Sequence, residues 1–182
     1  MELNIVKWFQ SFRTPFLDWF FITITELGDE MVFFILIAVL YWVFNKKFAY
    51  RLMLFYLTSV MFNDVLKNVI QRPRPFDVSD QIVSVVPKTH GYALPSGHAQ
   101  SSMMLALTLN DGFKTFFKWV TPLLFTLAAL VSISRLYLGQ HYLTDVLLGM
   151  GLAVVIFTLL RFLSTKINIS AIKVVYMMIP LM

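Results

Sequence analysis

The stretch HYLTDVLLGMGLAVVIFTLLRFL, residues 141–163, decides the fold class. From Val146 to Leu160 it carries no charge, and about 20 such residues cross a bilayer as a helix. Its first turn is different: His141, Thr144 and Asp145 stand ahead of the apolar run. Polar groups at the end of a span avoid the hydrocarbon and can gather with others. This is the pattern of a membrane helix with a site at its mouth.

The same pattern recurs outward from it. FFKWVTPLLFTLAALVSIS, 116–134, is a second span and runs into Arg135. LMLFYLTSVMFNDVLKNVI, 52–70, is a third, with Lys67 near its end. MVFFILIAVLYWVF, 31–44, closes on Asn45-Lys46-Lys47 and either starts near Leu27 or is short. SGHAQSSMMLALTL, 96–109, reads as a helix with a polar first turn, Ser96 as its cap and an apolar remainder. At the N-terminus, Leu3, Val6, Phe9 and Phe12 fall at helical spacing, which suits a helix lying in the interface. FLDWFFITITEL, 16–27, is a second interfacial helix or part of a first span. After Lys166 the chain turns apolar, but IKVVYMMIPLM is too short to cross, so 171–182 is expected to be an incomplete final span. The expectation is an all-α polytopic membrane bundle of five to six spans, one domain over 1–182, with 1–28 as N-terminal interfacial helices.

Composition agrees. The chain is 58% hydrophobic and 14% charged, with mean hydropathy +0.73, whereas soluble domains average about 25% charged residues. The formal net charge of +5 reads as membrane orientation and contact with anionic lipid rather than nucleic-acid binding. There is no cysteine, which excludes disulfides and thiolate metal sites. If each span crosses once, one set of loops holds Lys46, Lys47, Arg51, Lys114, Lys118, Arg161 and Lys166. The positive-inside rule places that set in the cytoplasm and the polar segment between residues 71 and 95 outside.

Three polar clusters fall on that outer side: Lys67 with Arg74-Pro75, Pro95-Ser96-Gly97-His98, and Ser134-Arg135 with His141 and Asp145. His141 and Asp145 are spaced i, i+4 and share a helix face. A carboxylate on one imidazole nitrogen fixes the tautomer and frees the other to attack. Lys67, Arg74 and Arg135 are three cations, and arginine forks match phosphate oxygens. Ser96 and Gly97 open a helix whose amides favour an anion. His98 is a second imidazole, suited to protonating a leaving oxygen and then activating water. A nucleophile, an acid/base and a cationic cradle suit phosphoryl transfer.

These three motifs, in order over residues 67–145, resemble the signature of the type 2 phosphatidic acid phosphatase (PAP2) superfamily. The resemblance implies a membrane helix bundle and a lipid phosphatase acting through a phosphohistidine on His141. It implies His98 as general acid/base and Asp145 as the residue that orients His141. It implies that Lys67, Arg74, Ser96, Gly97 and Arg135 hold the phosphate, that no metal or other cofactor is needed, and that the site faces outward at the cell membrane. Phosphatidic acid, phosphatidylglycerol phosphate and undecaprenyl diphosphate are candidate substrates. The partner is then a lipid phosphate in the bilayer, entering sideways through a gap between the helices carrying His98 and His141. Related soluble proteins hold vanadate in the same cradle for haloperoxidation, which the hydrophobicity argues against. A non-catalytic lipid-phosphate carrier would be expected to lack His141 or Asp145, and both are present.

Other residues have simpler readings. Arg72 lies outside the motif spacing and is expected at the surface or on a lipid headgroup. Tyr137, Tyr142 and Trp119 suit an aromatic belt, and Gly149 and Ala153 suit close helix packing.

Overall fold

A computed structural model describes residues 2–87, 91–115 and 117–166; the expected final span, 171–182, lies outside them. The described residues form helices without strands. They are α1 (Glu2–Ser11), α2 (Pro15–Glu26), α3 (Glu30–Val39), α4 (Lys46–Ile70), the short α5 (Pro75–Val78), α6 (Gly97–Phe113), α7 (Val120–Tyr137) and α8 (Leu143–Lys166). A π-helical turn, Leu40–Phe44, joins α3 to α4.

Local chemistry sets the breaks. Thr14 caps α2 by accepting from the Leu17 N–H, with Pro15 in the first turn. Asp29 caps α3 through Met31 N, and Asn45 caps α4 through Phe48 N. Helix α4 ends where Gln71 takes a left-handed φ of 52°, so the chain turns sharply and carries Arg72 and Arg74 back over the bundle end.

Helix α6 is the central element, packed on α4, α7 and α8. Its Met103 and Met104 meet Phe55 of α4 and Ala153, Ile156 and Phe157 of α8 in the main core cluster. The outward residues are apolar too: Leu147, Leu148, Val155, Leu159 and Phe162 of α8 are exposed. A helix apolar on both core and outer faces suits a lipid surround.

By length and apolarity, α7 and α8 can each cross a membrane, and α2 with the α3–Phe44 segment makes a third candidate, bent by 50°. This is fewer than the five to six expected. Helix α4 is long enough, but its ends carry Lys46, Lys47, Arg51, Asp64 and Lys67, and α6 begins in the polar site. Neither therefore meets the length and apolarity of a span. Those charges are segregated. Arg51, Lys114 and Arg161 all pair with Asp111 at one end of the bundle, while the three polar motifs collect at the other.

Close packing at that second end depends on Gly149. A Cβ there would stand 2.6 Å from the Ser96 carbonyl oxygen, which is backbone and cannot swing aside. Gly149→Ala is expected to lower stability by about 1–3 kcal/mol, the usual cost of overpacking, measured as a fall in melting temperature in detergent. The same contact packs α8 directly against the start of α6.

Candidate active site

Each motif arrives on a different element. Lys67 comes from the last turn of α4, Arg74 from the loop after it, Ser96 and His98 from the start of α6, Arg135 from the end of α7, and His141 and Asp145 from the α7–α8 turn and the first turn of α8. The turn is tightened by Gly139 at φ +73°, and His141 N–H and Gln140 N–H both donate to the Arg135 carbonyl. The Ser96 N–H donates to the Asp145 carbonyl at 2.9 Å, which ties the second motif to the third.

His141 is 2% exposed. Its Nδ1 lies 2.8 Å from the Ala93 carbonyl oxygen. A carbonyl can only accept, so Nδ1 carries the proton and the neutral ring leaves Nε2 bare. Arg74 Nη1 stands 3.4 Å from that Nε2. Asp145 Oδ2 is farther from Nδ1, at 3.6 Å, and accepts the Tyr142 N–H at 2.8 Å. The nearer acceptor for the imidazole is thus a backbone carbonyl, which the sequence pattern gave no means of finding.

The cations surround this ring. Arg74 is buried and donates Nε to Gly91 O and Nη1 to Gln140 O. Arg135, 3% exposed, donates Nη1 to Thr25 Oγ1 at 2.8 Å. The Arg135 Nε and the Ser96 Oγ are buried without a hydrogen-bond partner. Buried polar atoms are nearly always satisfied, so each such atom asks for an explanation; an anion seated between these two donors would supply it.

Burial pushes the His141 imidazole well below its ordinary value of 6.5, and Arg135, Arg74, Lys67 and His98 push it the same way. The unfolded chain therefore binds a proton here before the folded one does. Stability from this group is complete above about pH 6.5 and is lost as pH falls below it, by about 1.4 kcal/mol per pH unit. Melting temperature is expected to fall between pH 7 and pH 5.5 more steeply in the wild type than in His141→Asn.

A cavity of about 140 Å³ opens beside the site. Gly28, Asp29 and Glu30 of the α2–α3 bend, Tyr56, Asp64 and Lys67 of α4, and Gly97 and His98 of α6 line it. All the predicted motifs meet at one end of the bundle, with Lys67 and His98 on the cavity wall and His141 and Asp145 buried behind them.

The readings of single residues divide. Trp119 is exposed as expected. Tyr137 is buried, donates its hydroxyl to Asp18 at 2.7 Å and packs on Phe21. Tyr142 is buried beneath the Arg72 guanidinium, 3.9 Å from its ring centre. Neither belongs to an aromatic belt, because the end of α7 is covered by α1 and α2. Arg72 is not free at the surface: it donates to Asp145 Oδ1 at 2.7 Å and to Thr144 Oγ1 at 2.6 Å.

Comparison with known proteins places this geometry. The pattern of the PAP2 superfamily matches residues 48–168. Sphingosine-1-phosphate phosphatase 1 of Rattus norvegicus is 27% identical over 69% of this chain; the chain spans 30% of that protein's length. Phosphatidylglycerophosphatase B of Bacillus subtilis is 30% identical over 86% of this chain and 79% of its own. Among solved structures, a transmembrane PAP2-type phosphatidylglycerolphosphate phosphatase from Bacillus subtilis superimposes with a TM-score of 0.78 and 28% identity, covering 92% of this chain and 86% of that one.

Proposed function

Since the chain belongs to the PAP2 superfamily, we propose that it is an integral membrane lipid phosphatase that removes the terminal phosphate of a lipid phosphate through a phosphohistidine on His141. The observation that carries this reading is the pair of buried, partnerless donors, Ser96 Oγ and Arg135 Nε, in the same site as an imidazole whose unprotonated Nε2 faces Arg74.

The chemistry proceeds in two displacements. Lys67, Arg74, Arg135, Ser96 and the Gly97 amide hold the phosphoryl oxygens and offset the charge that builds on them. His141 Nε2 attacks phosphorus, an N–P bond forms, and the P–O bond to the lipid breaks. His98 gives its proton to the departing lipid oxygen. Water then loses a proton to His98 and attacks the phosphohistidine; the N–P bond breaks and inorganic phosphate leaves. The chain's own cations neutralise the phosphate, so the reaction needs no metal.

One domain, 1–182, sits in the membrane with five to six crossings, five of them built on the α2–α3 pair, α4, α6, α7 and α8. The Asp111 end faces the cytoplasm and the site faces outward, with α1 along the outer interface. Lipid reaches the site through the cavity between the α2–α3 bend, α4 and α6. Asp29, Glu30 and Asp64 line it and repel a second phosphate, which favours a monoester.

The test is phosphate release by purified protein in detergent with EDTA from phosphatidic acid, phosphatidylglycerol phosphate and undecaprenyl diphosphate. Release in EDTA, highest for the monoesters and blocked by vanadate, supports the proposal. Release that requires added metal, or bromide oxidation by the vanadate-loaded protein, overturns it. Lipid movement between leaflets without phosphate release would favour a carrier.

A further inference from the structure

Arg72 stands where the three motifs are tied together. Its backbone carbonyl accepts the Ala93 N–H at 2.8 Å, and the Ala93 carbonyl in turn accepts His141 Nδ1–H. Its guanidinium donates to Asp145 Oδ1, and the other oxygen of that carboxylate accepts the N–H of Tyr142, next to His141. Two separate paths therefore run from one residue to the nucleophile: one through backbone, one through an ion pair. The Asp145 side chain is fully buried, and a buried carboxylate needs a cation held in place. The cation is itself held on three sides. Tyr142 lies under its face. Thr144 Oγ1 accepts from Nη1. Glu2, at the start of α1, pairs with Nη2 and also accepts from Thr144 Oγ1. Helix α1 is fastened at its far end by Gln10, which donates to Val83 O and accepts from Val83 N.

We infer that Arg72 is a positioning residue for His141, acting through Asp145 and the Ala93 carbonyl, and that Glu2 of the N-terminal helix holds Arg72 in place for that role. Among the described residues the hydrogen bonds of Arg72 Nη1 and Nη2 go to Thr144, Asp145 and Glu2, none of them in the phosphate cradle. Its effect is on the geometry of the attacking ring, which must be held closely because a shift of about 1 Å can cost 10²-fold in rate. A guanidinium can bridge Asp145, Thr144 and Glu2 at once, whereas an ammonium cannot match that fork.

The inference rests on the phosphatase reading, and its test separates the two. Wild type, Arg72→Ala, Arg72→Lys, Glu2→Gln, Asp145→Asn, Arg72→Ala/Asp145→Asn and His141→Ala are assayed for phosphate release from phosphatidic acid. Expected are a fall in kcat of about 10²-fold for Arg72→Ala with KM within about twofold, a smaller fall for Arg72→Lys and Glu2→Gln, and a double variant no worse than its worse single one. Additive losses, or a raised KM with kcat unchanged, overturn the inference; the latter would make Arg72 a headgroup contact. Hydrogen–deuterium exchange over residues 138–146 needs no activity. Faster exchange is expected in Arg72→Ala and Glu2→Gln, and unchanged exchange overturns the inference. Should the wild type release no phosphate, the phosphatase reading fails, while the exchange result still decides the clamp.

Discussion

His141→Ala is expected to abolish turnover, lowering kcat by at least about 10³-fold, with the protein still folded and still binding vanadate. On the proposed mechanism His141 is the nucleophile, and without it no covalent intermediate can form. The cradle is supplied by other elements: Lys67 by α4, Ser96 by α6 and Arg135 by α7. Truncating the imidazole therefore leaves the anion site assembled. Trapping with a radiolabelled lipid phosphate in acid-free quench should give a base-stable phosphoprotein in the wild type and none in the variant. Label retained at full stoichiometry in His141→Ala would move the nucleophile to another residue.

Arg135→Met is the second large expectation, and it joins two opposite effects. Arg135 is almost wholly buried, donates Nη1 to the neutral Thr25 hydroxyl, leaves Nε without a partner, and makes no ion pair among the described residues. A buried cation without a counter-charge is costly, and replacing buried ionic groups by an apolar residue of similar size is often neutral or stabilising by about 1–4 kcal/mol. The substitution should thus raise the melting temperature or leave it unchanged. It should also lower kcat/KM by about 10³-fold, within the range that one arginine on a transferring phosphoryl group contributes, and weaken vanadate inhibition in parallel. A variant that lost both stability and activity would make Arg135 a structural residue. One that kept its activity would remove it from the cradle.

These two expectations show where the fold accepts strain. The bundle is held by apolar packing of α6 against α4, α7 and α8, and that packing fixes donors that lack partners of their own. Between α4 and α6 the buried amides are matched, since Gln100 donates to Ser59 and accepts from Asn63; Arg51 Nε and Ser132 Oγ, away from the site, are also buried without a partner.

The sequence by itself determined the helical class, the family and the set of residues that meet. Hydrophobic runs of membrane length and three polar motifs at their ends are local patterns, and period and spacing carry them directly. It also placed Gly149 and Ala153 at packing contacts, because small residues inside an apolar run have few other uses. Tertiary structure alone decided the rest. The acceptor nearest His141 Nδ1 is the carbonyl of Ala93, and any residue supplies a carbonyl, so no letter in the sequence marks it. Arg72 reads as a surface cation until α1 brings Glu2 across to it and α8 brings Asp145 and Thr144. Tyr137 and Tyr142 read as belt residues until α1, α2 and Arg72 cover them. The cavity lies where Gly28, Asp29 and Glu30 of the α2–α3 bend meet residues of α4 and α6. Each depends on contacts between residues far apart in the chain, made by helix packing that sequence periodicity does not encode.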